Sequence, residues 1–279
     1  MTVINTNTGS LYAQQAMTTN ARSLATVMQQ LSTGKRINNA VDDVAGMAIS
    51  TRLTSQIRGL NQAVRNTNDG ISLIQTAEGA TEQVTNMLQR MRELAVQASN
   101  DTNNANDRTY LNLEFQALTS QIGNIANNTQ WNGADILNQK GGASGTFTFQ
   151  VGANSGQTID IKFSNLTTDA NAGALSNVAT QNITAASTSS AALGVIVSAL
   201  DTVSMERSNM GAIISRLQFT SDNLANVSAK AQESRSRIED TDYSLATTEL
   251  AKRNIIQQAA QAMLAQANQA PQLVLQLLR

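Results

Sequence analysis

The sequence predicts a mainly α-helical chain: a long helical hairpin or coiled-coil bundle, a small β-hairpin region at its bend, and both termini paired as a terminal coiled coil. Three observations carry this. Apolar residues recur at alternating steps of three and four over long stretches, the spacing of packed helices. Aromatics make up only 3% of the 279 residues while 41% are hydrophobic, a balance that suits slender helix seams better than a thick core. One central stretch, 129–190, is rich in Gly, Asn, Ser and Thr and contains two short segments of period-two alternation.

Taken in order, Met17, Ala21, Leu24, Met28 and Leu31 are spaced as one helical stripe near the start. A first arm follows through Leu53, Ile57, Leu60, Val64, Thr67, Ile71 and Ile74. After one phase slip it continues through Ala77, Thr81, Val84, Leu88, Met91 and Ala95. The slip lies beside Gly70 and Gly79, so a local unwinding is expected there. Leu111, Phe115, Leu118, Ile122 and Ile125 mark a shorter helix, with Asp107 as its expected N-cap.

In the central stretch, TFTFQV and TIDIKF flank GANSGQ. This reads as a hairpin in which Phe147, Phe149 and Val151 face Ile159, Ile161 and Phe163, with Gly152 and Gly156 permitting the turn. Its Phe residues read as a small core, and residues 164–190 as exposed loop. The second arm places Ile196, Val203, Met210, Leu217, Leu224, Ala231 and Ile238 at d positions, every one apolar. As one helix it would run roughly 70 Å at about 1.5 Å per residue. Its a positions include Arg207, Ser221, Ser228 and Arg235, which either lie near solvent or set register. Ile256, Ala260, Met263, Ala267, Ala270, Val274 and Leu277 then form a last helical stripe.

The expected organisation is an N-terminal inner-core helix (1–40) that pairs with the C-terminus, an N-terminal arm (41–140), a β-hairpin and short loop region (141–190), a C-terminal arm (191–240) and a C-terminal inner-core helix (241–279). Residues 1–21 and 254–278 carry no charged side chain, unlike the arms between them. A two-helix pair made largely of Ala and Gln gains little against a backbone ordering cost of about 1–2 kcal/mol per residue, so the ends need neighbours from other copies.

Lys plus Arg (19) nearly cancel Asp plus Glu (20), which argues against nucleic acid as a partner. The longest uncharged stretch, 254–278, holds seven Gln and two Asn, too polar to be expected in a bilayer. No basic, apolar leader is visible at the N-terminus. His and Cys are both absent, which removes zinc sites, thiol nucleophiles and imidazole shuttles. No catalytic residue, metal site or cofactor is expected, and the chain is not read as an enzyme.

The motifs LSTGKRINNAVDDVAGMAISTRL (Leu31 to Leu53), NDGISLIQTAEGA (Asn68 to Ala80), LQRMRELAVQASN (Leu88 to Asn100), SRIEDTDY (Ser236 to Tyr243) and LAQANQAPQLVLQLLR (Leu264 to Arg279) occur in order. In them the chain resembles bacterial flagellin, the subunit of the flagellar filament, over nearly its whole length outside the loop after the hairpin. The resemblance implies an extracellular homopolymer for swimming motility, with the two ends forming an inner coiled-coil layer and the arms the next. It implies export of the unfolded chain through the flagellar type III apparatus and terminal helices that fold as they bind. The implied partners are further copies, an export chaperone on the C-terminal helix, and the filament cap and hook-junction proteins. With only some sixty residues between the arms, a slender filament is expected.

Arg90, Leu94 and Gln97 form a stripe at i, i+4 and i+7 beside the seam residues Met91 and Ala95. On residues alone this is a solvated face. By resemblance, Gln89, Arg90, Leu94, Gln97 and Glu114 belong to a subunit-contact surface recognised by the flagellin-sensing Toll-like receptor of animals. Asp42, Asp43, Glu239, Asp240 and Asp242 are expected to cap helices and pair with Arg36, Arg52, Arg235 and Arg237. Either Asp242 or Ser244 could cap the last helix. The alternative functions are a hook-filament junction protein and a secreted membrane-active helical protein, against which the few basic residues on the ends argue.

Overall fold

A computed structural model describes residues 6–169 and 173–277, with the side chains of 270–277 excepted. The elements are α1 (Thr8–Thr33), α2 (Val44–Ala98), α3 (Ala105–Asn128), β1 (Gln130–Trp131), β2 (Ala134–Asp135), β3 (Thr146–Gln150), β4 (Thr158–Lys162), α4 (Ser176–Ala179), α5 (Ala186–Glu239) and α6 (Tyr243–Leu277). The chain is mainly helical with two antiparallel hairpins, as the apolar periods predict. It divides into two compact units, one of Met1–Ile57 with Ala229–Arg279 and one of Arg58–Ser228.

In the first unit α1 packs on α6. Asn7 opens α1 by accepting from the Ser10 amide at 3.0 Å, and Gly34 closes it in a left-handed conformation (φ 71°) that a side chain would strain. Asp43 accepts from the Gly46 amide at 2.8 Å at the start of α2. The start of α6 is decided for Asp242, whose Oδ1 accepts from the amides of Ser244 and Leu245.

The second unit holds the main core. Leu73, Leu88 and Met91 of α2, Phe115 and Ile122 of α3, and Ile161 and Phe163 of the hairpin are fully buried. The α5 positions Ile196, Val203, Met210 and Leu217 join them, while Leu224 packs in a smaller cluster with Leu60 and Ala63. Each large side chain removed from water contributes about 1.5–3 kcal/mol. An 18-residue window of α5 has mean hydropathy 1.3, long and apolar enough to cross a membrane by length and composition alone. In the structure α5 spends Ala192, Ile196, Ala199 and Val203 in this core.

The hairpin pairs as the alternation predicts, Phe147 opposite Ile161 and Phe149 opposite Ile159, with Gly156 at φ 81° in the turn. The Phe147 and Phe163 rings meet edge to face at 6.0 Å.

Four features differ from the sequence reading. First, α2 is helical through Gly70 and Gly79 without unwinding. Beyond the slip its buried face widens to take in Leu73, Ile74, Ala77, Val84, Leu88, Met91, Leu94 and Ala95, so the phase change is absorbed by a broader contact. Second, Asn104 caps α3, and Asp107 returns the bond to the Asn104 amide as the other half of a capping box. Third, residues 164–190 are not simply exposed loop: Leu166, Leu175, Val178 and Ile183 are buried, and Ser164 is held to the buried Glu206 carboxylate at 3.0 and 2.7 Å. Fourth, β1 and β2 form a second hairpin about Asn132 and Gly133, both at positive φ, the two-residue turn that an Asn-Gly pair favours.

Candidate assembly and recognition surfaces

The α1–α6 pair uses half of each predicted terminal stripe. Met17, Leu24 and Leu31 are half-buried, but the residues interleaved with them in the seam are the buried Asn20 and Val27. Ala21 and Met28, one heptad apart, stay exposed, Met28 by 56%. On α6, Ala260 and Ala267 are half-buried together with Arg253, Gln257 and Leu264. Ile256 and Met263, again one heptad apart, are exposed, Met263 by 63%. The 4-3 spacing thus merges two heptad columns, one facing the partner helix and one left open. Ala270, Val274 and Leu277 lie outside the residues whose side chains are described.

Polar groups cross the same pair. Asn20, only 3% exposed, donates from Nδ2 to the Arg253 carbonyl at 2.9 Å, and Asn7 donates to the Ala267 carbonyl at 2.7 Å. Where α1 ends and α6 begins, Lys35 and Asp240 pair as an antiparallel bridge. The Arg36 amide donates to the Glu239 carbonyl at 2.7 Å and the Thr241 amide to the Gly34 carbonyl at 3.0 Å. Glu239 receives the Lys35 ammonium at 2.5 Å and the Ser50 hydroxyl at 2.5 Å, with Arg235 at 4.0 Å. Lys35 first and Ser50 second hold its carboxyl below the usual carboxylate range, against the opposing effect of burial. The acidic clusters therefore act as caps and ion-pair partners: Arg36 reaches Asp43 at 3.7 Å, while Arg237 pairs with Glu233 instead.

On the second arm, the d positions from Ile196 to Ala231 are buried and Ile238 is half-buried. The polar a positions are occupied in different ways. Ser228 is buried and donates to Asn61 Oδ1 at 2.9 Å, Arg207 stands 3.8 Å from Glu78, and Arg235 donates to Thr54 Oγ1 at 3.3 Å.

The predicted recognition residues divide. Arg90 and Glu114, twenty-four positions apart in sequence, meet across α2 and α3: Arg90 Nε donates to Glu114 Oε1 at 2.9 Å and Nη1 to Glu93 Oε2 at 2.9 Å. These bonds, that to Glu114 first, raise the guanidinium above its ordinary value, so the surface presents a fixed charge pair. Gln89 and Gln97 are exposed and line a groove with Arg92, Glu93, Val96 and Leu200 between α2 and α5. Leu94 lies elsewhere. It is 1% exposed and belongs to the main core beside Met91 and Ala95.

Residues 4–141 match the bacterial flagellin N-terminal helical region and residues 193–278 the bacterial flagellin C-terminal helical region. The chain is 47% identical over 277 residues to a flagellin of Halalkalibacterium halodurans, covering 99% of this chain and all of that one. It is 48% identical over 166 residues to polar flagellin F of Vibrio parahaemolyticus and 47% over 167 residues to B-type flagellin of Pseudomonas aeruginosa. It spans 43% and 34% of those longer relatives. The crystal structure of Bacillus cereus flagellin superposes with a TM-score of 0.50 at 31% identity, covering 57% of this chain and 88% of that one.

Proposed function

The chain belongs to the bacterial flagellin family of structural, non-enzymatic subunits of the extracellular flagellar filament, and from that premise we propose how its parts divide the work of assembly. Residues 1–40 and 241–279 form the inner layer of the filament, 41–140 and 191–240 the layer around it, and 141–190 a compact hairpin and loop region. The subunit is exported unfolded through the flagellar type III apparatus, its C-terminal helix held by an export chaperone. It adds beneath the filament cap on a filament begun at the hook-junction proteins. A chain without Cys and with Pro271 as its one proline suits threading, since neither cross-links nor slow isomerisation across several bonds delays it.

Folding of α1 and α6 is completed by binding to equivalent helices. The observation that carries this is the open column on each uncharged helix, Ala21 with Met28 and Ile256 with Met263, still exposed after the two helices have paired. Only copies of the same chain offer many such columns at a fixed spacing. Outside the filament, the Arg90–Glu114 pair with Gln89 and Gln97 is the surface a host Toll-like receptor engages, and Leu94 supports it from beneath. Seeding the purified full-length chain with filament fragments tests the assembly reading. Negative-stain microscopy is expected to show long filaments growing from the seeds, and a chain that stays dispersed at all concentrations contradicts it.

A further inference from the structure

The α1–α6 seam holds two helices together without specifying where along each other they stop. Ala13, Met17 and Leu24 meet a face carrying Gln257, Ala260 and Leu264, so sliding by one heptad exchanges one small or flexible residue for another. Arg22 is the only charged residue of α1, and no ion pair among the described residues joins α1 to α6. Asn7 and Asn20 donate to main-chain carbonyls fourteen residues apart on α6, at Ala267 and Arg253. Every heptad of a helix presents an equivalent carbonyl, so these bonds orient the faces and tolerate a one-heptad slip.

Tyr243 is different. Its hydroxyl donates to the Leu31 carbonyl at 2.8 Å, and Leu31 lies within the last four residues of α1, whose carbonyls have no amide of the next helical turn to bind. A heptad earlier, the Leu24 carbonyl is already engaged inside the helix. A heptad later, past Gly34, there is no helix. We infer that the Tyr243 hydroxyl sets the heptad register of α1 against α6 and so acts as a positioning residue for polymerisation. The inference rests on the filament reading for its consequence: this register brings the exposed Leu11 level with the exposed Met263, and a slipped pair presents a different apolar edge to the next copy.

A chain without cysteine lets introduced pairs report the register. A Cβ at Gly9 would stand 3.9 Å from that of Ala267, within disulfide reach, so Gly9→Cys with Ala267→Cys reports the register seen here. Gly9→Cys with Ala260→Cys reports a slip of one heptad. Each pair is oxidised in the full-length chain, and closure is measured in both the pelleted polymer and the supernatant, with and without Tyr243→Phe. The parent is expected to close 9/267 almost exclusively. Tyr243→Phe is expected to raise the share closing at 9/260 about fivefold, the loss of one hydrogen bond of ordinary net strength. Exclusive 9/267 closure in Tyr243→Phe overturns the inference, as does a parent that closes both pairs equally. A parent that never pellets counts against the filament reading instead, and the supernatant then decides the register.

Discussion

Removing residues 260–279 is expected to abolish filament growth while leaving the unit of Arg58–Ser228 folded. The truncation takes Ala260, Leu264 and Ala267 out of the seam and Met263 out of the open column, and it removes the carbonyl to which Asn7 donates. What remains of α6 is 243–259, seventeen residues, close to the length below which a helix with little tertiary support is marginal in water. No residue of the second unit lies in the deleted segment, so the core built on Leu88, Phe115, Ile161 and Ile196 keeps its contacts. Seeded sedimentation should find no pelleted protein above the zero-seed baseline. Circular dichroism should still show a cooperative helical transition from the central unit. Filaments from the truncated chain would remove the role given to the last helix.

Leu94→Ala is expected to destabilise the central unit by about 2–5 kcal/mol, the cost of emptying a fully buried leucine site, because Leu94 is 1% exposed and packed in the main core. Arg90→Ala is expected to leave the thermal midpoint near that of the parent. Its partners Glu93 and Glu114 are about half exposed or more, and water and salt screen such pairs. Both substitutions should lower Toll-like-receptor activation in a reporter-cell assay, by different routes. The loss in Leu94→Ala should be accompanied by a lower melting temperature and largely recovered in Leu94→Met, which refills the volume. The loss in Arg90→Ala should occur without either effect. Leu94→Ala with an unshifted midpoint and lost potency would instead make Leu94 a contact residue reached by opening the core.

The case of Leu94 shows where sequence reading stops. Assigning Met91 and Ala95 to the seam left Leu94 to an outer stripe, which holds when a helix has one partner. At this end of α2 the helix is wrapped by α3, α5 and the hairpin, and the buried face extends across Met91, Leu94, Ala95 and Ala98. The second arm was legible because each d position is apolar and none of its neighbours competes for the phase. The terminal stripes were half legible. Their seam includes the polar Asn20, Arg253 and Gln257, which a search for apolar spacing passes over, while the open columns are apolar and were merged with it. The packing of Leu166, Leu175, Val178 and Ile183 left no periodic trace, since each sits alone among small polar residues. The Arg90–Glu114 bond joins two helices through the turn at 99–104, a proximity that spacing along one helix does not encode.

Amide hydrogen exchange, read residue by residue on the dilute chain and on the washed filament, bears most directly on whether the ends are ordered by one another or by their neighbours. Residues 8–33 and 243–277 are expected to exchange within the dead time when dilute and to become protected by several orders of magnitude in the filament, while the interior of Arg58–Ser228 is protected in both. Equal, strong protection of the two terminal helices in the dilute chain would contradict assembly-coupled folding.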